Sequence, residues 1–252
     1  MIYITGDCHG DWSRFSSDSF PEGKNMTRDD FVIVCGDFGI WQPSNSEKYW
    51  LDWLSEKSFT VLFVDGNHEN FDRLNGGEFP IVDFHGGKAH KIRENVYHLM
   101  RGYIFDICGK SVFAFGGARS HDIKDGILNE DDYPNYLDMI KDYRIRTKRG
   151  EMLRINHMSW WKEEMPNAEE MRRGLNNLKA RGNKVDFIIS HCCPQRMVPY
   201  FLGENAKPDS LTKFFNVITR DVEFDRWYFG HYHDNMQMGK YTLLYEQIIR
   251  IA

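Results

Sequence analysis

None of the five cysteines belongs to a C-x-x-C pair, their number is odd, and Cys192 and Cys193 are adjacent. That pattern argues against a disulfide framework and against a structural zinc cluster, leaving Cys8, Cys35, Cys108, Cys192 and Cys193 as reduced thiols. No stretch approaches the roughly 20 apolar residues needed to cross a bilayer. The first residues, Met1-Ile2-Tyr3-Ile4-Thr5-Gly6-Asp7, read as a strand without a basic leader or a cleavage site, so a cytoplasmic protein with no membrane partner is expected. Positive charge is also short. With a formal net charge of -5 the chain has no global attraction for nucleic acid or anionic lipid, and an anionic substrate has to be drawn in locally. There is no internal repeat and no low-complexity segment.

What is present is enough for a packed fold. At 252 residues and 41% hydrophobic content the chain suits a single domain spanning 1–252 with a sizeable core. Five short runs rich in β-branched or aromatic residues, Ile2 to Ile4, Phe31 to Cys35, Val61 to Val64, Phe187 to Ile189 and Trp227 to Phe229, each end abruptly at glycine or a polar residue. They predict strands buried on both faces, with helices packed outside the sheet. Tyr103 to Ile107 and Ser111 to Phe115, joined by Cys108-Gly109-Lys110, predict a hairpin. Helical spacing of apolar residues marks Glu47 to Lys57, Ala168 to Arg181 and Ser210 to Asp221. Together these give an alternating α/β chain. The stretch from about Ser120 to Pro166 is polar and reads as an insertion beside the sheet; its basic run, Lys141 to Arg154, reads first as a solvated helix face.

The chemistry lies just past the strand ends. The five runs lead into Gly6-Asp7-Cys8-His9, Gly36-Asp37, Asp65-Gly66-Asn67-His68-Glu69, Ser190-His191 and Gly230-His231-Tyr232-His233. Side chains placed just beyond the carboxyl ends of neighbouring strands converge on one crevice. In Asp7-x-His9 and His231-x-His233 a period of two aims both side chains at one face of an extended segment. The set Asp7, His9, Asp37, Asn67, His191, His231 and His233 offers carboxylate, amide and imidazole donors, which suit Mn, Fe or Zn better than Ca²⁺ or Cu(I). Seven donors over-supply one ion, whereas two ions roughly 3.5 to 4 Å apart with a shared carboxylate use them all. Two divalent ions against two aspartates and a bridging hydroxide leave the site electropositive, favouring a phosphate substrate over a neutral amide.

At these blocks the chain resembles the calcineurin-like metallophosphoesterase superfamily, whose pattern is D-x-H, G-D, G-N-H-[ED], H and G-H-x-H in that order. The resemblance implies a four-layer α/β/β/α sandwich of two mixed β-sheets flanked by helices. It implies two divalent or trivalent cations, Asp7, His9 and His233 holding one, Asn67, His191 and His231 the other, and Asp37 bridging them. His68 then contacts the phosphate beside Asn67 and serves as general acid, with Glu69 or a nearby carbonyl as its orienting partner. A hydroxide bridging the ions is the expected nucleophile. Gly116 to Asp122 and Ser159 to Pro166 are similar to a bacterial and phage branch of these proteins with undefined substrates. Protein Ser/Thr phosphatases of the superfamily carry Asp and Arg soon after the G-D block; here Gly36-Asp37 continues as Phe38-Gly39-Ile40-Trp41, so phosphoprotein phosphatase activity is not expected. Arg119 is the candidate substitute for the missing arginine.

The expected substrate is a small or nucleotide-derived phosphate ester, monoester or diester, with the chain acting as monomer or homodimer. The alternative enzyme reading is a nuclease on single-stranded nucleic acid, with Lys141 to Arg154 tracking the backbone. The non-enzymatic alternative is a scaffold that keeps the fold without catalysis.

Overall fold

The computed structural model describes residues 1–203 and 207–252. Its strands are β1 (Ile2–Thr5), β2 (Phe31–Val34), β3 (Thr60–Phe63), β4 (Ile81–Phe84), β5 (Gly87–Arg93), β6 (Val96–Leu99), β7 (Tyr103–Ile107), β8 (Lys110–Phe115), β9 (Gly126–Leu128), β10 (Leu153–Ile155), β11 (Lys184–Ser190), β12 (Glu223–Phe229), β13 (Met236–Met238), β14 (Tyr241–Leu243) and β15 (Ile249–Arg250). Its α-helices are α1 (Asn45–Ser55), α2 (Phe71–Asn75), α3 (Tyr136–Lys148), α4 (Ala168–Ala180), α5 (Pro199–Leu202) and α6 (Ser210–Asp221). All five apolar runs are strands, the Cys108-Gly109 turn joins antiparallel β7 and β8, and the three helical patterns are α1, α4 and α6.

The strands form two large mixed sheets, one ordered β15-β1-β2-β3-β6-β5-β4 and the other β13-β14-β12-β11-β8-β7. Alternation along each strand shows how they stack. Ile2, Ile4, Phe31, Ile33, Leu62 and Val64 of the first sheet share one apolar cluster with Phe105, Val112, Ala114, Phe187 and Ile189 of the second. Their neighbours Tyr3, Val32, Val34, Val61 and Phe63 face the opposite way, onto Leu51 and Leu54 of α1 and onto Trp12, Phe15 and Phe38. In the second sheet Phe113, Phe115, Ile188, Trp227 and Phe229 turn outward onto Leu178 of α4 and Leu211, Phe214, Phe215 and Ile218 of α6. The order is therefore helix, sheet, sheet, helix. Every residue of β1, β2 and β3 is buried because each face has a neighbour, which is why these strands read as unbroken apolar runs rather than alternating ones.

β1, β2 and β3 are parallel neighbours, so their carboxyl ends leave one edge of the first sheet; β8, β11 and β12 do the same in the second. The candidate ligand blocks sit directly after these ends. Behind the third, the buried Asp65 carboxylate accepts a hydrogen bond from Arg101 Nε at 2.9 Å and meets His98 Nε2 at 3.0 Å, while its backbone carbonyl accepts from the N–H of Gly117 at 2.8 Å. Burial works against the charge on Asp65, but Arg101 and His98 hold its carboxyl well below the usual carboxylate range. The turn carrying Gly66, Asn67 and His68 is fixed from behind by this ion pair.

The 120–166 stretch has structure of its own. β9 and β10 pair in parallel, α3 packs on β10, and Leu128, Met139, Leu153 and Ile155 make a small apolar cluster. Beyond it, Trp161 is fully buried in the outer cluster of the first sheet and donates its indole N–H to Asp72 Oδ2 of α2 at 2.7 Å. His157 meets the same carboxylate at 2.9 Å. Replacing a fully enclosed tryptophan leaves a cavity that its neighbours cannot fill, so Trp161→Ala is expected to cost about 3 to 5 kcal/mol of stability in urea unfolding. A loss under about 1 kcal/mol would show that the anchor is not holding the segment.

Candidate metal centre

The seven candidate ligands come together where the two sheets' carboxyl ends meet. Asp7 and Asp37 are buried. On one side, Asp7 Oδ2 lies 3.2 Å from His233 Nε2 and 3.7 Å from His9 Nε2, and the two imidazole nitrogens are 3.1 Å apart. On the other, Asp37 Oδ2 lies 3.3 Å from His191 Nε2, which is 3.2 Å from Asn67 Oδ1. The same Asp37 oxygen is 3.8 Å from His9 Nδ1, so a single carboxylate borders both groups. The His231 ring sits 4.9 Å from that of His191, and its backbone N–H donates to Asp7 Oδ1 at 3.0 Å. Ligand atoms of Asp7, His9 and His233, and likewise of Asp7, Asp37 and His191, lie within 4.8 Å of one another.

The surroundings are shaped to hold these side chains. A Cβ on Gly66 would stand 1.9 Å from Asp37 Oδ1, and one on Gly230 would stand 2.1 Å from Asp7 Oδ1. Each carboxylate occupies the space a side chain would need. His191 donates Nδ1–H to the carbonyl of Cys35 at 2.7 Å, which fixes the ring so that Nε2 is the nitrogen turned toward Asn67 and Asp37. Four of the seven, His9, Asp37, His231 and His233, have left-handed backbone with φ between 47° and 73°. Such strain in bulky residues persists only where the surrounding structure imposes it, and it clusters at functional sites.

Charge is concentrated here. Burial alone would lower the His191 imidazole, yet the Asp37 and Asp7 carboxylates raise it to about 10. Asp37 shows the reciprocal effect: burial opposes its charge, and His191, His68 and His9 hold it far below the carboxylate range. Burial keeps His231 well below the usual imidazole value, reinforced by His191 and His121, and burial likewise lowers His9 and His68. Two buried carboxylates ringed by imidazoles, an amide oxygen and backbone donors fit a pair of hard or borderline cations.

A cavity of about 310 Å³ opens onto this cluster, lined by Asp37, Asn67, His68, His121, Asp122, Phe201, Leu202, His231, Tyr232 and His233. His68 therefore faces the space a ligand would enter, between the rings of His9 and Trp41. Its expected orienting partner is elsewhere: buried Glu69 accepts the backbone N–H groups of Phe38, Gly39 and Ile40 at 2.7 to 3.2 Å and so shapes the loop after Asp37. Arg119 is exposed and does not line the cavity. Its neighbours reach in instead: His121 Nε2 approaches His231 Nε2 at 2.6 Å, and Asp122 is paired with Arg154 Nε at 2.8 Å. His121, Asp122 and Arg154 lay within segments marked in the sequence, but only the folded chain joins them to His68 and His231. Of the basic run, Arg146 is tied to Glu151, while Lys141, Arg144 and Lys148 line a separate groove with Tyr136 and Leu137.

Another buried acid stands behind the centre. Glu164 accepts the hydroxyl of Ser120 at 2.5 Å and its backbone N–H at 3.0 Å; burial pushes this carboxyl up to about 7 against the pull of those donors.

No helix among the described residues is long and apolar enough to cross a membrane. A search among curated proteins finds no match to this chain. The calcineurin-like phosphoesterase family model matches residues 1–235, in keeping with the paired mixed sheets and the Asp/His clusters at their joined edge, and the chain therefore belongs to that family of metal-dependent phosphoesterases.

Proposed function

We propose that this protein hydrolyses small phosphate esters using two cations, Mn, Fe or Zn, held by Asp7, His9, Asp37, Asn67, His191, His231 and His233. The observation that carries this reading is the placement of Asp37 Oδ2 within 4 Å of imidazole nitrogens on both sides, His9 at 3.8 Å and His191 at 3.3 Å. A carboxylate there serves as the shared ligand, with Asp7, His9 and His233 on one flank and Asn67, His191 and His231 on the other. Bound cations would supply a water of lowered pKa and offset the charge of a phosphate.

The chain's own residues then act on the ester. His68 borders the cavity, and its backbone N–H donates to Asp37 Oδ1 at 2.7 Å, which ties its position to the shared ligand. From there its imidazole meets the leaving oxygen and delivers a proton. Asp122 lines the same cavity, its Oδ1 has no hydrogen-bond partner among the described residues, and Arg154 backs its other oxygen. This pair takes the place of the Asp and Arg missing after Gly36-Asp37: Asp122 faces His68, and Arg154 adds positive charge near the phosphate path. Phe201 stacks on Tyr232 at 4.4 Å and forms an apolar wall for the leaving group. That wall, and a lining that includes none of Lys141, Arg144 and Lys148, support a small ester over a nucleic-acid strand.

A substrate panel in Mn²⁺ tests the reading. Hydrolysis of bis-p-nitrophenyl or p-nitrophenyl phosphate that is removed by EDTA and restored by Mn²⁺ is the expected result; metal-free protein should also unfold at lower temperature, because ions bound to the folded state stabilise it. Cleavage of single-stranded nucleic acid with steep salt dependence and no turnover of small esters would replace this reading with the nuclease, and a purified chain that holds no stoichiometric metal and turns nothing over would point to a scaffold. Asp37→Ala should reduce bound metal below two ions per chain and lower kcat/KM by about a hundredfold or more. His68→Ala should lower kcat by about 10² to 10⁴ while metal content stays at the wild-type value. Loss of metal in the His68 variant would instead make that residue a ligand.

A further inference from the structure

The segment 120–166 closes with a hydrogen-bond chain that ends on a candidate metal ligand. Asn67 Nδ2 donates to Ser120 Oγ at 3.3 Å, the Ser120 hydroxyl donates to Glu164 Oε2 at 2.5 Å, and the Ser120 backbone N–H donates to Glu164 Oε1 at 3.0 Å. All three residues are buried. Glu164 is itself held: it comes three residues after the anchored Trp161 in the turn Lys162–Glu164, and its carbonyl accepts from Arg101, the partner of Asp65.

We infer that Glu164 is a positioning residue that sets which end of the Asn67 amide faces the metal centre. An asparagine side chain has an accepting oxygen at one end and a donating NH₂ at the other, and only the oxygen can bind a cation. A serine hydroxyl can accept or donate, so alone it would satisfy Asn67 in either orientation. Glu164 removes that freedom, because a carboxylate accepts only: both Ser120 hydrogens go to it, and only the lone pairs of Oγ are left for Asn67. The NH₂ must then point at Ser120, which turns Oδ1 toward His191 Nε2, 3.2 Å away, and toward the cavity. The insertion thereby orients a donor carried by the turn after β3, and does so through polarity rather than packing.

This inference rests on the two-cation reading of the site, and a double-mutant cycle separates the two. Mn²⁺ binding to the full chain is measured by calorimetry at about pH 8, where Glu164 is ionised, for wild type, Glu164→Gln, Ser120→Ala and the double variant. Glutamine has the same shape but must present an NH₂ to Ser120, which frees the serine hydroxyl to donate to Asn67 and reverses the amide. Glu164→Gln should weaken the second of the two binding events by about 10- to 100-fold, as loss of groups that orient ligands does elsewhere. In the Ser120→Ala background the same change should cost nothing further, since the relay is already cut. Wild-type affinity in Glu164→Gln, or losses that simply add in the double variant, would overturn the inference while leaving the metal centre intact. A wild-type chain that binds no Mn²⁺ would sink the underlying reading as well. Should Glu164→Gln not fold, Ser120→Ala decides alone: unimpaired binding of two ions by that variant overturns the relay.

Discussion

Two carboxylates buried within one crevice are the constraint around which this protein is arranged. Asp7 and Asp37 are out of reach of solvent, and desolvated negative charge is tolerated only beside compensating positive charge and donors. The compensation comes from every strand end nearby: backbone N–H groups of His68 and His231, and the imidazoles of His9, His191 and His233. Cations in the same place would satisfy the same requirement more fully. The stacking of the sheets, with parallel strands ending at one edge, is what lets five separate chain segments meet that requirement together.

Because the candidate ligands sit on turns rather than within strands, the fold has to hold those turns still. Left-handed backbone at His9, Asp37, His231 and His233, and glycines whose missing side chains make room for the Asp7 and Asp37 carboxylates, are the local cost. The support lies behind them. Glu69 gathers the N–H groups of Phe38, Gly39 and Ile40, and Asp65 with Arg101 and His98 secures the turn before Asn67. Acidic residues of the strand-end blocks thus divide into those at the candidate centre, Asp7 and Asp37, and those that brace its walls, Asp65 and Glu69.

The 120–166 segment links the wall to the site. It is anchored through Trp161 and Asp72, contributes His121 and Asp122 to the cavity, and reaches the back of Asn67 through Ser120 and Glu164. One segment thus shapes a side of the cavity and also meets Asn67, so changes in it can alter the cavity without touching the strand ends.

The order of apolar runs and the blocks after them determined much of this protein without coordinates. Strands buried on both faces leave a continuous apolar signature, and five such strands each followed by a block with Asp, Asn or His point to one crevice, so the α/β architecture and the seven candidate donors were legible. What the sequence could not carry was the direction of side chains on irregular backbone. Glu69 stands next to His68 yet turns away to cap a loop, Arg119 points to solvent, and His121 two residues later meets His231. Neither strand nor helix periodicity applies there, so the facing of each residue depends on contacts with segments up to about half the chain away. The pairing of Asp122 with Arg154, and of Ser120 with Glu164, arises only when β9, β10 and the turn after Trp161 close on one another. Local chemistry marked the candidate ligands; long-range packing chose their partners.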